Sequence, residues 1–246
     1  MKKRLDLLLV EKGLVASRTL AQALVMEGKV RVDGQVERKA SRQIAEDANV
    51  ELESPARFVS RGGEKLEGAF EKFPLNVENK ICVDVGSSTG GFTDCLLQHG
   101  AAKVMAVDVG TNQLAYKLRT DPRVWVRENY NARYMKAEDL PDVPSVAVTD
   151  VSFISLKLIL PPIVDVLAPG GEIVALIKPQ FEVGKGNAPG GLVRDEKLRI
   201  EARDGIVRFA REELSLQLLG LEESPILGKE MGNIEYLSYW RKAEMN

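Results

Sequence analysis

Apolar and polar positions follow two different rhythms along the chain, one over roughly the first 55 residues and another from about Lys80 onward. In the first stretch, Leu5, Leu8 and Leu9, with Lys12, recur at helical spacing, so residues 3–13 are expected to form an amphipathic helix that stops at Gly13. Ser17 is placed to cap a second helix running to about Glu27, with Leu20, Ala23 and Leu24 turned inward and Gly28 ending it. Lys29 to Val36 then alternates around Asp33-Gly34, the signature of two strands joined by a tight turn. Asn49 to Glu53 is expected to be a last short strand, and Ser54-Pro55 breaks the pattern. Residues 57–63 are expected to be a linker, and Ser60 could cap a helix containing Glu64, Lys65, Leu66 and Phe70.

The second rhythm is one of apolar runs. Ile81–Val85, Val104–Asp108, Val124–Val126, Ser145–Asp150 and Glu172–Lys178 are strand-like, and helical segments such as Phe92–His99 and Phe153–Leu167 lie between most of them. Apolar strands alternating with helices predict an α/β domain built on a mostly parallel, doubly wound sheet. Gln217–Leu221 and Glu235–Arg241 are expected to close it as an antiparallel pair.

Composition narrows the class. No apolar run approaches the roughly 18 residues of a membrane span, and the basic start Met1-Lys2-Lys3-Arg4 leads into a pattern broken by Asp6 and Glu11 and not into a signal-peptide core. Two cysteines, Cys82 and Cys95, do not make a disulfide framework and suit reduced thiols in a cytoplasmic protein. One histidine, His99, rules out a histidine-rich metal site, and no metal is expected. The net charge of −2 is uneven: residues 1–62 carry 12 Lys and Arg against 9 Asp and Glu, so the acidic balance belongs to the rest. A small basic α+β module on an acidic body is where a polyanion would land, although a solvated surface explains the same excess.

The chemistry gathers at strand ends. Asp84 to Phe92 is a strand, a glycine-rich turn and a helix start, the place where an α/β sheet receives a nucleotide-like ligand. A phosphate loop is excluded, because Phe92 stands where the phosphate-binding lysine must be. A dinucleotide fingerprint fails as well, since Ser88 replaces the glycine that admits a pyrophosphate. S-adenosylmethionine has no pyrophosphate and needs no such contact. Asp108 ends the second strand, where a carboxylate accepts both ribose hydroxyls of an adenosine or caps the next helix. Asn131 follows the third strand and could pair with an adenine edge. Asp150 and Lys178 end the fourth and fifth strands. Their side chains are expected to pair, because a part-buried lysine is costly alone, and Gly86, Asp108, Asn131, Asp150 and Lys178 should share one cleft. Glu235 could reach that cleft or sit on the surface of an edge strand. Residues 184–191, rich in glycine and with Pro189, form either a loop that closes over a substrate or an ordinary surface loop.

Taken together these blocks resemble the TlyA-type, hemolysin-named branch of the FtsJ-like rRNA methyltransferases. Residues 1–60 are similar to the small RNA-binding fold of ribosomal protein S-four, through Arg4-Leu5-Asp6, Ser17-Arg18 and Gly28 to Gly34; residues 61–246 would be the methyltransferase domain. The junction Val59 to Leu66 also matches, as do Asp84 to Thr93, Ala106 to Gly110, Asp150 to Ser155, Ile177 to Glu182 and Gly232 to Glu235. The junction departs in two places, with Phe58 where the family leads one to expect Trp and Gly63 where relatives often have Ala.

The resemblance implies a catalytic Lys-Asp-Lys-Glu tetrad at Lys65, Asp150, Lys178 and Glu235, of which Lys65 rests on the resemblance alone. It implies S-adenosylmethionine held by Gly86, Ser87, Thr89, Gly90, Asp108, Asn131 and Asp150, and methyl transfer to the 2′-oxygen of a ribose, a cytidine in ribosomal RNA. Arg4, Arg18, Lys29, Arg31, Arg38 and Lys39 would hold the RNA. Two rivals belong to other classes. One is a non-catalytic RNA or adenosyl-binding module, against which the intact tetrad stands. The other is a membrane-active hemolysin, which the lack of an apolar span disfavours.

Overall fold

The computed structural model describes residues 1–53, 56–184, 186–228 and 231–244. The expected break at Ser54-Pro55 and Lys185 of the glycine-rich loop lie outside them. The chain divides into two units, Met1–Ala56 and Arg57–Asn246.

In the first unit, β1 (Lys2–Arg4) leads straight into α1 (Leu5–Glu11), followed by α2 (Arg18–Met26), β2 (Val30–Val32), β3 (Gln35–Glu37), β4 (Gln43–Ala45) and β5 (Val50–Leu52). The helix expected from residue 3 therefore starts later. Lys2–Arg4 are drawn into an antiparallel pair with Gln43–Ala45, a partner about forty residues away that local spacing does not reveal. Ser17 caps α2 by accepting from Leu20 N at 3.2 Å. The buried face of α2 is carried by Ala21 and Val25, with Leu24 packed against the core as expected, whereas Leu20 and Ala23 are exposed. Gln22 and Arg18 of this helix donate to Asp6, which sets the rotation. The hairpin turns at Asp33 and Gly34, both at positive φ. Leu5, Leu8, Leu9, Ala21, Val25, Val30 and Ile44 make the core.

In the second unit, α3 (Gly62–Lys72) precedes β6 (Ile81–Val85), α4 (Gly91–Gln98), β7 (Lys103–Val107), α5 (Tyr116–Arg119), β8 (Val124–Arg127), β9 (Val146–Thr149), α6 (Leu160–Val166), β10 (Glu172–Ile177), α7 (Glu196–Glu212), β11 (Gln217–Glu223) and β12 (Tyr236–Arg241). The strands form one sheet in the order β11-β12-β10-β9-β6-β7-β8. Pairing is parallel from β8 to β10, and β12 is antiparallel to both β10 and β11. Alternate strand residues face opposite layers. Val104, Ala106, Val146 and Val148 pack with Leu66, Phe92 and Leu96 of α3 and α4. Val83, Val85, Met105 and Ala147 pack with Leu160 and Ile163 of α6 and Ile206 of α7. The sheet is doubly wound, as expected. Chain order reverses between β6 and β9, so the crevice of a parallel sheet opens at their carboxyl ends.

Three local expectations are corrected. Residues 57–63 are packed against the domain: Phe58 is buried, Val59 N donates to Asp94 Oδ2 at 2.9 Å, and α3 begins after Arg61 without a side-chain cap from Ser60. The helix expected over Phe153–Leu167 is split, because Pro161 and Pro162 can stand only in a helix's first turn, so α6 starts beside them. Glu235 lies on no edge strand; it precedes β12, which is flanked on both sides. The 17-residue α7 was not anticipated; it buries Ala202, Ile206 and Ala210 at every fourth position.

Phe58 and Gly63 explain one another. A Cβ on Gly63 would lie 2.2 Å from Phe58 Cγ, so the aromatic ring fills the space an alanine at residue 63 would need.

Candidate active site

Strand and helix ends converge on a cleft of about 780 Å3, lined among others by Lys65, Gly86, Ser87, Thr89, Asp150, Lys178 and Glu235. Its floor is a chain of alternating charge. Glu235 Oε2 lies 2.7 Å from Lys65 Nζ, Lys65 Nζ lies 3.5 Å from Asp150 Oδ2, and Asp150 Oδ1 lies 2.6 Å from Lys178 Nζ. The Asp150–Lys178 contact is an ion pair without hydrogen-bond alignment; Lys178 donates instead to Ser152 Oγ at 2.8 Å. Lys65, Lys178 and Glu235 are buried. Two ammonium groups and two carboxylates sum to zero, which is how a protein keeps four charges out of water: each has an opposite neighbour.

Four elements supply them. Lys65 stands on the first turns of α3, Asp150 and Lys178 follow the last residues of β9 and β10, and Glu235 precedes β12. The antiparallel register of β12 on β10 puts Tyr236 opposite Ile177, and so brings Glu235 and Lys178 to the same edge of the sheet.

The glycine-rich turn folds as a left-handed run, with Gly86, Ser88 and Gly90 at φ +82°, +47° and +97°. Its glycines are required by neighbours within the protein: a Cβ on Gly86 would meet Val151 Cγ1 at 2.8 Å, and one on Gly90 would meet Leu118 Cδ1 at 2.3 Å. They were singled out for close approach to a ligand, yet Gly90 faces the core and is not in the cleft lining. Asp108 ties the turn to the end of β7, its two carboxylate oxygens accepting from Ser88 N at 2.7 Å and Gly110 N at 2.6 Å. Asn131 is exposed, and its side-chain oxygen accepts from Arg133 N at 3.1 Å, capping a short turn. Asp108 and Asn131 thus lie at neighbouring strand ends but not in the cleft lining. Below the turn, Asp84 is fully buried; it accepts from Thr93 Oγ1 at 2.6 Å, while its Oδ1 has no partner. Burial pushes its carboxyl up to about 7.

Residues that pattern reasoning did not assign complete the site. Ser152 receives Lys178, and Gln180 Nε2 donates to Glu235 Oε1 at 3.4 Å while its Oε1 is buried without a partner. Phe153, at φ +64° and 80% exposed, borders the cleft with its ring centroid 5.1 Å from that of Phe181. Glu182 accepts from Ser155 Oγ at 2.5 Å and Leu156 N at 2.8 Å, joining the turn after β10 to the turn after β9. Asn233 accepts from Val193 N at 3.0 Å and donates to Gly191 O at 2.7 Å, anchoring the end of the glycine-rich loop, of which Ala188 and Gly191 line the cleft. The signals were present in Asp150 to Ser155 and Ile177 to Glu182, where the blocks continue past the tetrad residue.

In the first unit the basic residues do not form one set. Arg4 and Arg18 both bind the buried Asp6, at 2.8 and 3.0 Å, and Lys29 pairs with Glu53 at 3.2 Å. Arg31, Arg38 and Lys39 are exposed, Arg31 and Arg38 donating to backbone carbonyls. No helix among the described residues is long and apolar enough to cross a membrane.

Comparison with known proteins agrees with this layout. Residues 58–242 match the FtsJ-like methyltransferase family and residues 3–50 the S4 domain. The chain is 44% identical to the 16S/23S rRNA (cytidine-2'-O)-methyltransferase TlyA of Mycobacterium tuberculosis, over 98% of this chain and 90% of that one. It is 45% identical to Hemolysin A of Brachyspira hyodysenteriae, over 96% and 99%. A solved hemolysin-named structure from Streptococcus thermophilus superposes with a TM-score of 0.76 at 44% identity, covering 98% of this chain and 89% of that one. Family match, parallel sheet and strand-end cleft agree, and the chain is an enzyme of the FtsJ-like methyltransferase family with an N-terminal S4 domain.

Proposed function

We propose that this enzyme transfers the methyl group of S-adenosylmethionine to the 2′-oxygen of a ribose in ribosomal RNA, with cytidine as the nucleoside. The observation that carries the reading is the charge chain Glu235–Lys65–Asp150–Lys178 on the floor of a cleft large enough for donor and nucleotide together. The names of the similar TlyA proteins support the rRNA substrate and the cytidine. An rRNA substrate places the enzyme in the cytoplasm with the ribosomes.

The residues fit a cationic adenosyl donor. Asp150 and Gln180 line the cleft and bring acceptor oxygens to it, and the turn through Gly86, Ser87 and Thr89 forms its wall. Asp108, with Gly90 shaping the turn and Asn131 at the next strand end, would serve the adenosine half. Bound there, the sulfonium supplies an already activated methyl group, so the protein's task is mainly alignment. Lys178 has three N–H donors. Ser152 takes one and Asp150 faces another, which leaves the third for the ribose 2′-oxygen. A cation at that oxygen stabilises the negative charge that develops as the hydroxyl gives its proton to solvent, the methyl carbon bonding to oxygen as its bond to sulfur breaks. Asp150 keeps Lys178 in place, and Lys65 with Glu235 fixes Asp150 from the other side. Phe153 presents an open aromatic face at the rim on which a nucleobase would stack. Arg31, Arg38 and Lys39, with Arg4, Arg18 and Lys29 as partly neutralised neighbours, would contact RNA phosphates, and affinity would fall steeply with salt.

The test is radiolabelled methyl transfer from S-adenosylmethionine to ribosomal subunits and to purified rRNA, with wild type and Lys178→Ala compared. Alkali-resistant label that disappears in Lys178→Ala, with donor affinity changed by less than about threefold, is the expected result. Label that survives the substitution would overturn the role of Lys178. Donor binding without transfer to any RNA would leave a binding module.

A further inference from the structure

Away from the cleft, on the outer side of the α3–α4 layer, three side chains with three different donor atoms meet. Cys95 lies on α4 and His99, four residues on, caps its carboxyl end, and Glu67 faces them from α3. Glu67 Oε2 is 2.7 Å from His99 Nε2 and 3.6 Å from Cys95 Sγ, and the three ligand atoms lie within 4.8 Å of one another. A tetrahedral zinc ion with bonds of about 2.0–2.3 Å sets its ligand atoms roughly 3.3–3.8 Å apart. The Cys–Glu spacing already matches, and the Glu–His spacing needs to open by about half an ångström.

The surroundings orient these groups. Arg57 Nη1 donates to Glu67 Oε1 at 2.7 Å, so Oε2 is the oxygen left to face the other two donors. The Phe70 ring stacks on His99 at 3.7 Å and 4°, which fixes the imidazole plane while leaving its edge open. A carboxylate hydrogen-bonded through its second oxygen is a usual support of a metal ligand, and the Phe70 stack adds an orienting contact on the imidazole. Cys95 is buried, while His99 and Glu67 keep side-chain exposures of 28% and 17%, an approach from solvent. Among the described residues this is the one such group of three.

We propose that Glu67, Cys95 and His99 form a site for a divalent transition metal of the zinc class, with water as the fourth ligand. Nitrogen, sulfur and one carboxylate oxygen favour zinc over magnesium or calcium. On binding, the Cys95 thiol gives its proton to solvent and the sulfur bonds the ion. His99 binds through Nε2 with its one ring proton on Nδ1, and Glu67 Oε2 exchanges its hydrogen bond for the metal. The ion would clamp α3, which carries Lys65 two residues before Glu67, to α4, which starts at the glycine-rich turn.

The experiment uses the full chain, stripped with chelator and titrated with Zn2+ and with Co2+. Expected are one Zn2+ per chain, a near-ultraviolet thiolate-to-cobalt charge-transfer band, a binding heat that changes with the ionisation enthalpy of the buffer because a proton is released, and a melting temperature that rises with Zn2+. Cys95→Ser should lose the cobalt band, and His99→Ala should weaken binding by at least about tenfold. The His99 side chain is 28% exposed whereas Cys95 is fully buried, so the His99 variant keeps the measurement open if Cys95→Ser fails to fold. No cobalt band and no Zn2+-dependent rise in wild type would overturn the proposal, as would equal Zn2+ binding by wild type and His99→Ala.

Discussion

Lys65 Nζ lies 2.7 Å from Glu235 Oε2, two buried side chains brought together across 170 residues of sequence. Lys65 has Asp150 as a second carboxylate, but the only ion pair of Glu235 among the described residues is Lys65, so removing Lys65 strands Glu235. Lys65→Met should lower stability by about 3 kcal/mol through an uncompensated Glu235 carboxylate. The double variant Lys65→Met/Glu235→Leu should recover most of that loss and still transfer no methyl group. Urea unfolding beside a transfer assay separates the two effects. A double variant no more stable than Lys65→Met would show that the pair does not couple as its distance requires.

Phe153 combines exposure with an unfavourable backbone. An aromatic base platform contributes about 1–3 kcal/mol by alanine substitution, so Phe153→Ala should raise KM for RNA by roughly five- to hundredfold and leave donor affinity alone. Phe153→Gly should lose the same RNA affinity yet melt no lower than wild type, because glycine accepts φ +64° without strain. Melting curves and RNA titration on the two variants give the comparison.

Glu182 positions the two turns that carry Asp150 and Lys178. Glu182→Ala releases Ser155 Oγ and Leu156 N and should lower kcat by about tenfold or more with little change in donor KM. Glu182→Gln can still accept from Leu156 N and donate to Ser155 Oγ, so it should restore most of kcat. If glutamine is as slow as alanine, the negative charge matters and the hydrogen bonds do not.

Two buried aspartates, one in each unit, should respond to acid with opposite sign. Burial raises Asp84 to about 7, so the folded state holds a proton that the unfolded chain releases near pH 4. Its contribution to stability is full below about pH 4 and is lost as pH rises to 7, and Asp84→Asn should flatten that decline. Asp6 is the reverse case. The Arg4 hydrogen bonds, assisted by Gln22 and Arg18, hold its carboxyl well below the usual carboxylate range despite burial. Its contribution is present above about pH 4 and is lost as pH falls further. Thermal unfolding across pH, with Asp84→Asn and Asp6→Asn as controls, checks both signs.

The parts of the structure that were legible in the sequence are those written in local period or strand-end placement. Apolar runs marked β6 to β10, and Asp150 with Lys178 stood at consecutive strand ends and do pair. Lys65 carried no such mark. It sits on a helix among polar residues, and only the resemblance singled it out. What local pattern could not show depends on distant partners. The β1–β4 pairing makes Lys3 and Arg4 strand where local spacing reads helix. The phase of α2 follows contacts to Asp6, from Arg18 and Gln22, that its own apolar spacing does not show. The glycines of the turn were noticed for a sound reason, conformational freedom, but the close approach they permit is to Val151 and Leu118 as well as to any ligand.

The strand β12 enters the sheet between β10 and β11, and Glu235 sits at its threshold. The central strands and three of the four charged groups are synthesised well before it. Until residues through Arg241 have emerged from the ribosome, β10 has a bare edge and Lys65 has no glutamate. The charge chain therefore closes only when β12 is seated, and whatever opens the β10–β12 pairing also uncouples Glu235 from Lys65.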